Sequence, residues 1–381
     1  MRRSPPWRWP SKGCSAVRPE EALRLFVGDI DAGDAIDAVD PIDAGGAAAP
    51  GRPAGVERAA AAPARTPLAR LTPGAEFDLP DAAAAHVKVR RLQPGAALRL
   101  FDGVSGEDWP AQVLVISRTG VRVRLAEAPV AAAAAELPVA VALAFGMPAN
   151  ERVDALVEKA TELGVAALWP LMSERSVLRL AGERAERRRA HWQAVAAAAC
   201  EQCGRARMPR VHAVQPLHAW LQARRDERDA GAEHERSAGR GGAGDPGTVG
   251  AAQSRWLLST AADAPPLAAV AAGAAVAAGA AAAAVTAVAA AGGARHAKSQ
   301  RTSAGGDRRI LVLSGPEGGF EPAEIEAARA AGFMAVSLGP RVLRADTAPL
   351  AALAWVAVAL GGAEARGQGQ GHPQPEPKSG A

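Results

Sequence analysis

The stretch that most restricts the fold is residues 311–355, LVLSGPEGGFEPAEIEAARAAGFMAVSLGPRVLRADTAPLAALAW. Residues 311–313 form an apolar run long enough for a buried strand and too short for a helix. Gly315-Pro316-Glu317-Gly318-Gly319 breaks that run with three glycines, which accept positive φ and let a ligand approach the backbone. A helix is predicted over 321–331. Pro322 suits its first turn, Glu321 and Glu324 complement its N-terminal dipole, and Gly332 stops it. Residues 336–338 give a second short strand, ended by Gly339-Pro340. From 346 to 360 the chain is almost wholly apolar, which predicts a helix buried on most of its circumference.

Strand, loop, helix, strand, loop, helix is an α/β pattern. Glycine loops at the carboxyl ends of strands are how such a sheet builds a ligand crevice. GPEGGF lacks the Lys-[Ser/Thr] of a phosphate-cradling loop, and the GxGxxG spacing of a dinucleotide fold is absent. Spacing alone leaves two readings open, ligand loops or tight structural turns.

At 381 residues the chain has room for two domains plus segments that do not fold. Alanine supplies much of the 49% apolar content and aromatics are only 4%, so the core is smaller than the apolar fraction implies. The formal charge of +4, with arginine dominating the basic residues, tilts toward an anionic partner, although solvated arginine faces share that composition. Cys14, Cys200 and Cys203 make no disulfide framework. Arg2, Arg3, Pro5, Pro6 and Trp7 do not read as a signal peptide, so a reducing cytoplasm is the expected compartment. Residues 265–293 are nearly all Ala, Val and Gly, too weakly apolar for a membrane span despite their length.

In chain order, residues 1–17 read as a tail and 24–27 as a strand. Residues 29–68 interrupt it as an acidic, disordered insertion; the glycine and terminal glutamate of a calcium loop are missing. His86-Val87-Lys88-Val89-Arg90 alternates, which predicts a strand with His86, Lys88 and Arg90 on one face. With strands at 98–101, 111–116 and 121–125 it makes a small β domain with a cationic stripe, either an RNA contact or a solvated face. An alanine-rich linker over 126–136 leads to the second domain. That domain begins with a strand at 137–145, a helix at 151–163, a strand at 167–171, a long helix at 183–203 and a short one at 218–222. Residues 224–253 and 261–308 read as low-complexity insertions around a strand at 255–260, and 363–381 as a tail. The lone CxxC of Cys200 and Cys203 is weak ground for zinc or redox chemistry, and His212 and His218 read as structural or surface residues.

Several motifs, in this order along the chain, resemble the ribosomal RNA uracil-N3 methyltransferases of the small subunit, in the SPOUT class. They are HVKVRRLQPG (86–95), EKATELGV (158–165), SERS (173–176), Glu201-Gln202 with Arg205, GPEGGF (315–320) and LGPRVLRADTA (338–348). The resemblance implies a PUA-like RNA-binding β-barrel domain over 18–128 and a knotted SPOUT methyltransferase domain over 137–362. The latter is a parallel α/β sheet flanked by helices that binds S-adenosyl-L-methionine and forms a homodimer. The implied partner is ribosomal RNA, free or in the small ribosomal subunit, with no membrane and no metal. The implied reaction is methylation of uridine N3 in 16S ribosomal RNA. Cofactor binding falls on Leu313, Gly315, Glu317, Gly318, Gly319, Leu338, Gly339, Val342, Leu343, Thr347 and Ala348. RNA contact falls on Arg24, His86, Lys88, Arg91, Lys159 and Arg175. Ala345 and Asp346 depart from the threonine and glutamate usual in the family, and a lysine usual near Met147 is missing.

Transfer of a methyl from a sulfonium to a nitrogen requires alignment and no covalent protein intermediate. As N3 loses its proton, charge spreads onto the carbonyl oxygens, and Arg344 and Arg341 are the expected stabilisers. Asp346 is a proton acceptor or a helix cap on this reading, and Glu317 a second acidic candidate whose duller role is to cap its own loop. Two other functions compete: a non-catalytic RNA-binding or ribosome-assembly protein on the same fold, and a methyltransferase acting on a different RNA.

Overall fold

The computed structural model of the protein describes residues 22–28, 68, 71–132, 135–238, 253–271 and 309–365. The chain divides into two compact units, Met1–Glu136 with Gln193–Met208, and Leu137–Trp192 with Pro209–Ala381.

The first unit is a six-stranded sheet. Its elements are β1 (Leu23–Phe26), β2 (Glu76–Asp78), α1 (Asp81–Val89), β3 (Ala97–Phe101), β4 (Glu107–Ile116), β5 (Val121–Leu125) and β6 (Val130–Ala131). The strands run β1-β3-β4-β5-β2, with β6 on β4; β1 and β3 are parallel and the other pairs antiparallel. β5 shows why the sequence settles this way. Val121, Val123 and Leu125 point into a core with Leu25, Leu98, Leu100 and Trp109. Arg122 and Arg124 point out and pair with Asp78 and Glu76 across the sheet.

Three expectations for this unit need correction. The alternation at 86–90 lies on a helix, α1, with the chain turning off at Arg90. Five alternating residues are too few to fix a period. The preceding Asp-Ala-Ala-Ala-Ala run favours helix, which still buries Val87 while leaving Val89 77% exposed. The 126–136 linker contains β6, and the Glu136 carboxylate accepts from Arg205 Nη2 and the Arg207 N–H, each at 2.9 Å. Residues 193–208, expected in the second domain, belong to the first unit. Arg24 Nη1 donates to the Cys200 carbonyl at 2.7 Å, and the Phe26 N–H donates to Glu201 at 2.9 Å.

The second unit is a parallel sheet with helices. Its elements are β7 (Ala140–Gly146), α2 (Asn150–Glu162), β8 (Ala167–Met172), α3 (Gly182–Cys203, shared with the first unit), β9 (Arg210–Val211), β10 (Gln215–Pro216), α4 (Leu217–Ala238), β11 (Gln253–Leu258), α5 (267–271), β12 (Arg309–Ser314), α6 (Pro322–Ala330), β13 (Met334–Val336) and α7 (Thr347–Ala365). The order is β10-β8-β7-β12-β11-β13 with β9 on β8, and every pair is parallel. Ile310, Leu311, Val312 and Leu313 of β12 are all buried, as a strand covered on both faces requires.

α4 does not give out at 224 but runs to Ala238, carried by the 222–226 and 225–229 polar pairs of its exposed face. Residues 261–271 are ordered rather than inserted: Pro266 bridges to Ser337, and Leu267 is buried. Residues 29–67, 239–252 and 272–308, the bulk of the three expected insertions, lie outside the described residues. β13 ends at Val336, leaving Leu338 in the loop. The helix at 347 buries one face only: Ala352, Leu353 and Val356 face inward, while Val358 is 78% exposed.

Candidate active site

Because every strand of the second unit is parallel, all the carboxyl ends open on one edge of the sheet. The glycine loop leaves β12 there and the GPRVLR loop leaves β13, with β11 alone between them. Strand spacing sets their separation at about 10 Å. The two candidate cofactor loops therefore share an edge, as the sequence predicts. The segment after β11 lies between them and was missed, because it adjoins low-complexity sequence. Its Ser259 N–H donates to the Val336 carbonyl at 2.9 Å, and the Ser337 N–H donates to the Pro265 carbonyl at 2.8 Å. Pro265-Pro266 directly after a strand was the signal available.

The glycine loop is held closely. A Cβ on Gly146, at the end of β7, would stand 2.5 Å from Pro316 Cδ, so only glycine permits the loop to lie there. Glu317 does not cap its own loop. Its Oε1 accepts from the Ala149 N–H at 3.1 Å and from Arg152 Nη1 at 3.0 Å, at the start of α2. Glu321 precedes α6, and its N–H donates to Glu324 Oε2 at 2.8 Å, which closes the helix start. Gly319 (φ +69°) and Gly339 (φ +105°) have open space where a Cβ would stand. Leu313 is buried, and Leu338 and Leu343 are half-buried.

In the second loop, the Arg344 carbonyl accepts from the Thr347 and Ala348 N–H groups at 3.0 and 2.9 Å, which starts α7. Asp346 Oδ1 accepts from Thr347 Oγ1 at 3.3 Å. Arg341 and Arg344 are both exposed, as is Val342. Beside the same edge lies a cleft of about 450 Å³, lined by Ser173, Glu174, Arg179, His218, Glu321 and Glu324 among others.

The residues expected to contact RNA do not share one environment. Arg24 is buried, donates to Asp108 Oδ1 at 2.8 Å and lies over the Phe101 ring, so its guanidinium is occupied. His86 Nδ1 lies 3.1 Å from Glu201 Oε2. Lys88 and Arg91 are exposed at and just beyond the end of α1, where Lys88 Nζ donates to the Arg118 carbonyl at 3.2 Å. Lys159 Nζ bonds Glu158 and Glu162, each at 2.8 Å, and these carboxylates raise its pKa. Arg175 lies against the glycine loop instead, with Nε donating to Glu321 Oε1 at 2.7 Å. The Cys200 thiol is pushed up to about 12, chiefly by burial, and stays protonated at neutral pH.

Comparison with known proteins agrees with this architecture. The RNA methyltransferase domain family matches residues 135–242 and 259–357, more than half the chain, and an RNA methyltransferase PUA domain matches 79–126. Ribosomal RNA small subunit methyltransferase E of Bacillus subtilis is 28% identical over 218 residues, 57% of this chain and 65% of that protein. The protein of the same name from Synechocystis is 30% identical over 221 residues, 58% of this chain and 54% of that protein. The chain thus spans less than two thirds of the length of these curated relatives. A crystal structure of ribosomal RNA small subunit methyltransferase E from Neisseria gonorrhoeae, bound to S-adenosyl methionine, superposes with a TM-score of 0.54. It is 29% identical and covers 76% of this chain and 94% of that one. An α/β parallel sheet preceded by a PUA-type domain, with these matches, means that the chain belongs to the RNA methyltransferase domain family.

Proposed function

We propose that the protein is an S-adenosyl-L-methionine-dependent methyltransferase acting on N3 of a uridine in small-subunit ribosomal RNA. The observation that carries this reading is that two glycine-containing loops leave one edge of a parallel sheet with a single strand between them, in a chain of the RNA methyltransferase domain family. The residues present fit the cofactor. Open space at Gly319 and Gly339 admits a flat group against the backbone, and Leu313, Leu338 and Leu343 offer apolar surface. When bound, S-adenosylmethionine supplies a methyl group on a positively charged sulfur.

The chain's own part is to orient a uracil and manage the N3 proton. Among the described residues, no hydrogen bond or ion pair engages the Arg341 or Arg344 side chain, so both are available to the substrate. A guanidinium beside the uracil carbonyl oxygens stabilises the charge that develops there as N3 is deprotonated. Asp346, two residues after Arg344 in the same loop, is the carboxylate to take the proton. Lys88 and Arg91 supply cationic contacts to RNA phosphates on the first unit. The half-covered apolar α7 supports function as a homodimer.

The test is nucleoside mass spectrometry of ribosomal RNA from a deletion strain. The expected result is loss of 3-methyluridine, restored by the wild-type chain and not by Arg344→Ala. Unchanged 3-methyluridine in the deletion strain would refute the reaction; full restoration by Arg344→Ala would remove that residue's role alone.

A further inference from the structure

We propose that Arg152 and Arg175 are positioning residues that grip the glycine loop from two sides and set its affinity for the cofactor. The inference rests on the reading of that loop as a cofactor loop.

Glu317 and Glu321 bracket Gly318-Gly319-Phe320, and each is held by a different part of the sheet edge. Arg152, in the first turn of α2 after β7, donates through Nη1 to Glu317 Oε1 at 3.0 Å. Arg175, in the loop after β8, donates through Nε to Glu321 at 2.7 Å and through Nη1 to the Gly318 carbonyl at 2.9 Å. A Cβ on Gly318 would stand 3.1 Å from Arg175 Cβ and 3.3 Å from Arg175 Cδ, so the arginine stem lies along the loop as well as pairing with it. The same loop after β8 adds a third tie, from the Glu174 N–H to Glu324 Oε1 at 2.8 Å.

Glycine has more backbone freedom to lose than any other residue, and this segment has three. If free, that freedom is lost on binding and weakens affinity; if already restrained, the loss is made during folding. Both ion pairs are partly exposed, with side-chain exposures of 38% and 28% for Arg152–Glu317 and 46% and 37% for Arg175–Glu321. Pairs so exposed contribute little to global stability. Their effect is therefore local, on where Gly318 and Gly319 sit. Arg175 accordingly acts on the cofactor side of the reaction and not as the RNA contact its SERS motif suggests.

The experiment is calorimetric titration of the full chain with S-adenosylmethionine, beside a thermal melt and an RNA filter-binding assay. Arg152→Ala and Arg175→Ala should each weaken cofactor binding about tenfold, the scale of one loop-ordering penalty. The melting midpoint should move by less than about 4 °C, and RNA affinity should not change. Glu321→Gln, which keeps an acceptor and loses the charge, should fall between wild type and Arg175→Ala. Wild-type cofactor affinity in both arginine variants would overturn the proposal, as would weaker RNA binding with cofactor affinity intact. An Arg175→Ala chain that did not fold would overturn it too, by showing a global role. Failure of the wild-type chain to bind S-adenosylmethionine would instead refute the functional reading beneath it.

Discussion

Replacing His212 by phenylalanine should remove a measurable part of the protein's acid sensitivity. His212 is 6% exposed and stacks on Trp169, with ring centroids 3.4 Å apart and planes 6° from parallel. Burial, and then the cationic Arg210, Arg224 and Arg189, push its pKa from 6.5 down to about 3. The folded ring is thus neutral where the unfolded ring takes a proton. Above pH 6.5 neither state is protonated and the group contributes no pH dependence. As pH falls below 6.5 the unfolded chain gains a proton the folded chain refuses, and stability is lost until about pH 3. At pH 5 the solution is 1.5 pH units below the unfolded pKa, and at about 1.4 kcal/mol per unit the loss is about 2 kcal/mol. Phenylalanine keeps the stack and cannot titrate. Urea unfolding at pH 7.5 and pH 5.0 should show the wild type losing about 2 kcal/mol more than His212→Phe. Equal losses in the two proteins would refute the reasoning.

Two further outcomes follow from the surface. Lys88→Ala and Arg91→Ala should weaken binding to any RNA sequence alike, and each should reduce the slope of log affinity against log salt by about 1; loss confined to one sequence would assign these residues to base contacts instead. Val358→Glu places a charge on the uncovered side of α7, where Val358 is 78% exposed. Light scattering should report a dimer for the wild type and a monomer for Val358→Glu, with the fold retained; a monomeric wild type would refute the homodimer, and a dimeric variant would refute the role of this face.

Much of the sheet edge was legible in the sequence because glycine and proline punctuate it. Gly315-Pro316 stops a strand, Gly339-Pro340 marks the loop after the next one, Pro322 opens a helix and Gly332 ends it, all local signals. What was not legible depends on distance along the chain. Arg24 looked like an RNA contact until Asp108 and the Cys200 carbonyl, 84 and 176 residues away, accounted for its guanidinium. Nor was the Arg175–Glu321 pair legible, since 146 residues separate its partners. The 86–90 alternation misled for the opposite reason: a single buried valine satisfies both a strand and a helix, and the alanines before it decide for helix. The apolar content of α7 pointed to burial, but the chain covers only one side of it.

The claim on which the account rests is that the β12 and β13 loops form one cofactor cleft. The most direct measurement is a titration of the isotopically labelled chain with S-adenosylmethionine, following the backbone amide resonances of Gly319 and Gly339 together. Both resonances should shift with a single shared dissociation constant. Movement of one loop alone, or of neither at saturating cofactor, would contradict the claim.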